Sequence, residues 1–85
     1  MNKKDAAQDR IEAVQKEIES LKSKLSELNS DNITIKTSVN MLLNESEKHM
    51  QNAELAFNES RYGEVFGQAT AALRIAANAE VMIDE

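Results

Sequence analysis

Seven apolar residues punctuate the first 29 positions at alternating steps of four and three: Ala7, Ile11, Val14, Ile18, Leu21, Leu25 and Leu28. That rhythm places them on one stripe of a helix. The positions between are mostly Glu, Lys, Gln and Ser, so the stripe is narrow. Two apolar positions per heptad suit a coiled-coil seam better than a helix sunk in a globule. The spacing therefore predicts a coiled-coil-like helix over 1–29. Glu12 and Lys16 form an (i, i+4) pair in the favoured order. Ile at two a positions and Leu at two d positions lean toward a parallel dimer. In such a dimer Glu17 would face Lys22 of the second chain. The other reading packs the same stripe inside one chain, against the segments that follow. The narrowness of the stripe favours the dimer.

The segment 29-NSDNITIKT-37 carries break signals. Asn29 suits a helix stop, and Ser30 or Asp31 suits the N-cap of a second helix. The β-branched run Ile33, Thr34 and Ile35 lowers helix propensity. Yet the rhythm continues through Asn32, Ile35, Val39 and Leu42, as it would in one long helix over 4–58 with Asn32 as a register-fixing polar position. A break is favoured. It gives three helices of about 26, 27 and 22 residues, roughly 40, 40 and 33 Å long, which suits an up-down-up bundle.

Residues 32–85 read as an antiparallel αα-hairpin. Met50, Ala53 and Phe57 form a stripe before Asn58-Glu59-Ser60-Arg61, and Tyr62, Val65, Phe66, Ala69, Leu73 and Ala76 form one after it. Asn and Ser compete for backbone hydrogen bonds and favour helix ends. So short a gap forces antiparallel neighbours. Alanines at 53, 56, 69, 72 and 76 allow close backbone approach. Gly63 and Gly67 read as further close-packing positions, and Met41, Met50 and Met82 as core filler. A second stripe on the last helix, Ala71, Ile75, Ala79 and Met82, requires a second neighbour.

About 34 of the 85 residues, from 46 to 79, resemble a single tetratricopeptide-type hairpin. Ala53 and Ala56 fall on the first-helix contact positions, with alanine where that family has an aromatic. Ser60-Arg61-Tyr62 falls on the turn, and Val65, Ala69 and Ala72 on the second-helix packing positions. Ser60 stands where the family has glycine and Arg61 where it has an acid, and the closing proline is absent. The run RYGEVFGQATAA is also similar to a YGEAFGQA hairpin of bacterial domains of unknown function. The resemblance implies a contact-making hairpin with one open face, which helix one, a second copy or a partner must cover.

Composition narrows the function classes. Eighty-five residues make one small domain with a thin core. There is no proline or cysteine, and the three aromatics cluster at the hairpin turn, so the chain reads as all-α without disulfides or thiol chemistry. No apolar run marks a signal peptide or membrane span, which leaves the cytoplasm as the expected location. Net charge is −5; residues 1–29 hold six basic and six acidic groups, whereas residues 30–85 hold four and nine. Clustered Lys and Arg for nucleic-acid phosphates are missing, as is a basic amphipathic face for a membrane. His49, the single histidine, follows Glu45 by one turn; an exposed polar pair is expected rather than a metal site. No catalytic set, cofactor motif or small-molecule substrate site can be named. The expectation is a non-enzymatic helical protein-interaction or oligomerisation module, with a protein partner or itself, homodimer favoured. The alternative is a small acidic inhibitor, phage-type, that mimics nucleic acid on a basic surface.

Overall fold

A computed structural model describes residues 2–28 and 33–84. It is all-α: α1 (Lys3–Glu27), α2 (Ile33–Asn58) and α3 (Tyr62–Asp84) run up, down and up in a bundle 46 Å long. α2 and α3 share the largest contact, and α1 lies across both, more against α3.

Each helix end has a local cause. Asn2 caps α1, its Oδ1 accepting from the Asp5 backbone N–H at 2.8 Å, which satisfies one of the orphan donors of the first turn. At the other end Leu28 turns to extended backbone, φ −67° and ψ 103°. α1 and α2 are thus separate helices, and the single helix over 4–58 does not form. The stop and cap expected at Asn29, Ser30 and Asp31, and the register role of Asn32, lie outside the described residues. Ile33, Thr34 and Ile35 are helical despite their branching. Propensity differences of a few tenths of a kcal/mol yield to packing, and Ile35 rests on the core.

The hairpin turn is built on Ser60, whose φ is +60°. The Ser60 N–H bonds Phe57 O at 3.0 Å and the Arg61 N–H bonds Ala56 O at 2.8 Å. This left-handed cap closes the last carbonyls of α2 and reverses the chain, a role usually given to glycine. Arg61 pairs with Glu59 and Glu64 on either side, and Phe57 meets Tyr62 edge-on at 5.6 Å.

Two linked clusters form the interior. Towards the turn lie Ala7, Ile11, Ala53, Ala56 and Val65, with Phe57, Tyr62 and Phe66 packed over them. Farther along lie Val14, Ile18, Leu21, Val39, Leu43, Ala69, Ala72, Ala76 and Ala79, with Leu25 and Leu73 at the margin. α3 contributes Val65 and then only alanines to the fully buried set, so the bulk comes from α1 and α2. The α1 stripe therefore fills its own chain: Ala7 to Leu21 are all buried, and Leu25 and Leu28 are half-buried. The stripe packs inside its own chain, the second of the two readings, because α3's small side chains leave a groove that α1 occupies. The partners change accordingly. Lys22 pairs with Glu47 of α2 at 3.4 Å, and Glu17 faces Glu80 of α3 rather than a lysine. Glu12 accepts from Gln8, one turn before it.

Three further expectations fail. Gly63 and Gly67 are exposed, and a Cβ at either would meet nothing within 4 Å; the close contacts are made by alanines instead. Met41 is 61% exposed rather than core filler. His49 is half-buried, and its Nδ1 lies 2.7 Å from Gln68 Oε1 on α3, so it pairs across the helices and not with Glu45.

Candidate functional site

The packing residues named from the sequence converge. Ala53, Val65, Ala69, Ala72 and Ala76 are fully buried, and Phe57, Tyr62, Phe66 and Leu73 are half-buried around them. Their proximity makes a scaffold. One polar member was missed. Ser46 is fully buried and its hydroxyl donates to Ala72 O at 2.8 Å, joining α2 to α3 at near-backbone contact. Its position was legible, since Val39, Leu43, Ser46, Met50 and Ala53 also step by four and three.

Two surfaces remain outside this scaffold. The first is the outer face of α2. Met41 and Leu55 are 61% and 55% exposed. At 100° per residue they point about 40° apart, on the side opposite Val39, Leu43 and Ser46. Seven residues separate each from Lys48, with Thr37, Asn44 and Gln51 completing the face; all are exposed. Met41 and Leu55 lie about 21 Å apart along the helix.

The second is a carboxyl pair on the α1–α3 side. Lys24 Nζ lies 3.4 Å from Glu80 Oε2 and 3.8 Å from Asp84 Oδ2. Glu80 Oε1 is buried and receives no hydrogen bond. Glu17 is the facing group. Its contact with Glu80, burial and the Glu80 charge all push the Glu17 carboxyl above the usual carboxylate range, against Lys24. The same contact, with Lys24, holds Glu80 below that range, against burial.

Among the described residues no three His, Asp or Glu side chains come together as a metal site, and no helix is long and apolar enough to cross a membrane. Compared with protein-family models, curated proteins and solved structures, the chain matches none.

Proposed function

We propose that this chain is a small non-enzymatic helical interaction module that associates with a second copy of itself through the outer face of α2. Exposed Met41 and Leu55, placed symmetrically about Lys48, carry the reading. An antiparallel pair of α2 helices with its two-fold axis at Lys48 sets Met41 of each against Leu55 of the other. It also brings Glu45 of each within a turn of Lys48 of the other, which offsets the meeting of the two Lys48 side chains at the axis. Such an isologous contact closes at two chains. The face is small and polar at its centre, so the association is weak and reversible. The tetratricopeptide-like hairpin fits this role, with α1 covering its inner side and α2 presenting the outer one.

The acidic-mimic reading is weaker. Glu47, Glu59, Glu64, Glu80 and Asp84 are already partnered by Lys22, Arg61 and Lys24, and a phosphate mimic needs its carboxylates free.

Cysteine scanning provides the test, since the chain has no cysteine. Lys48→Cys should form a disulfide-linked dimer under mild oxidation. Met41→Cys should do so only when mixed with Leu55→Cys. Crosslinking of Met41→Cys with itself would show parallel pairing. A monomeric mass by light scattering over about a hundredfold concentration range, with no Lys48→Cys crosslink, would contradict self-association and leave a different protein as partner.

A further inference from the structure

α1 and α2 run antiparallel, so seven residues back on one and seven forward on the other return to the same seam. Lys22 of α1 meets Glu47 of α2 at 3.4 Å. One heptad further along, the same register sets Gln15 against Glu54, and both line a single cleft of about 200 Å³ between the two helices. Glutamine stands where the repeat would have lysine. The Glu54 carboxylate is half-buried, and among the described residues no ion pair or hydrogen bond reaches it.

The other walls suit a cation on an apolar stem. Ile11 is buried and Phe57 half-buried, which gives the cleft an apolar floor, and Gln8, Gln15 and Asn58 are exposed at its rim. Gln8 Nε2 donates to Glu12 at 3.2 Å, so Gln8 turns its carbonyl oxygen to a ligand. Gln15 and Asn58 carry one such oxygen each. An ammonium has three donors and no acceptor, which matches a carboxylate ringed by carboxamide oxygens. An anion would meet the like charge of Glu54. The volume is below the roughly 300–1,000 Å³ of drug-sized ligand sites, so the cleft takes one short side chain or a small amine. A second cleft, lined by Lys24, Glu27, Leu28, Ile83 and Asp84, gives the contrast: its Asp84 already has Lys24 at 3.8 Å. Arg61, at the turn beyond Asn58, is held by Glu59 and Glu64.

We propose that the α1–α2 cleft binds one primary ammonium on a short alkyl stem, which takes the place at Glu54 that Lys22 takes at Glu47. The net charge of −5 favours its approach. Two sources carry this chemistry: a lysine side chain of a protein partner and a free alkylamine.

NMR of the full chain titrated with n-butylammonium chloride at fixed ionic strength provides the test, with 1-butanol as the uncharged control. The signals of Gln15, Glu54 and Phe57 should move together and saturate with a Kd on the order of millimolar. 1-Butanol should bind about fivefold more weakly or worse, and Glu54→Gln should weaken the ammonium by about the same factor. Gln15→Lys supplies the cation from within the chain. It should weaken butylammonium at least as much while the circular dichroism stays helical, since position 15 is exposed. N-acetyl-lysine-N-methylamide separates the sources. Binding as tight as butylammonium assigns the cleft to a partner's lysine, and much weaker binding assigns it to a free amine. Shifts that grow without saturation, that spread equally over the exposed carboxylates, or that both variants leave unchanged would overturn the site. The cleft lies within one chain and the probe is a free amine, so the result does not depend on self-association.

Discussion

Leu21 is the largest fully buried side chain of α1 and sits among Ala69, Ala72, Ala76 and Ala79. Replacing it with alanine removes three carbon groups, which at about 0.8 kcal/mol each forfeits about 2.4 kcal/mol of transfer energy. Whether a cavity adds to this depends on what can move in. The alanines of α3 have no side-chain atoms to swing, so the space persists and adds roughly 0.5–1.5 kcal/mol. The expected loss is about 3–4 kcal/mol. A chain of this length has roughly 4–13 kcal/mol in all, so the variant stands near the edge of folding. Its melting temperature should fall by about 12–30 °C. Leu25→Ala, at a half-buried position, should lose much less. Urea unfolding followed by circular dichroism reads the energies directly, with the slope unchanged if only stability moved. Because the cavity lies within one chain, the loss should be the same at every protein concentration. A loss below about 1 kcal/mol, or equal effects at Leu21 and Leu25, would refute the packing of α1 into the alanine groove.

Other substitutions probe separate features of the fold. Gly67→Ala, on an exposed helix position with room for a Cβ, should stabilise by about 0.5–1 kcal/mol through helix propensity; a lower melting temperature would mean that the position is packed. Ser60→Gly should stabilise by about 0.5–1 kcal/mol, since relief of the left-handed backbone outweighs loss of the long, exposed hydrogen bond that Ser60 Oγ accepts from the Tyr62 hydroxyl at 3.4 Å. No gain in a thermal melt would argue against the positive φ. Ala69→Glu buries a charge at a fully enclosed contact and should cost several kcal/mol; an unchanged melt would place Ala69 on the surface.

The alternating four-and-three rhythm exposed most of the fold in advance: three helices, the turn before Tyr62, and the stripes of α1 and α3. It could not say what the α1 stripe packs against. A narrow seam looks alike whether the opposing helix belongs to the same chain or another. The deciding feature is complementarity of size. α3 buries Val65 and alanines, and Ile11, Val14, Ile18 and Leu21 supply the missing volume. Gly63 and Gly67 were misread because small residues mark close contacts only when they fall on the stripe, and these two fall off it. Ser46 is polar, so an apolar pattern does not pick it out, although its spacing places it inside. The Glu17–Glu80 pair was invisible because like charges 63 positions apart give no sequence signal.

NMR on a mixture of isotope-labelled and unlabelled chains separates contacts within a chain from contacts between chains. With α1 inside its own chain and the outer face of α2 as the proposed self-association surface, inter-chain proton contacts should connect Met41 with Leu55. None should arise from Val14, Ile18 or Leu21. Inter-chain contacts at the α1 stripe would contradict the first assignment, and none at Met41 and Leu55 under conditions where a dimeric mass is present would contradict the second.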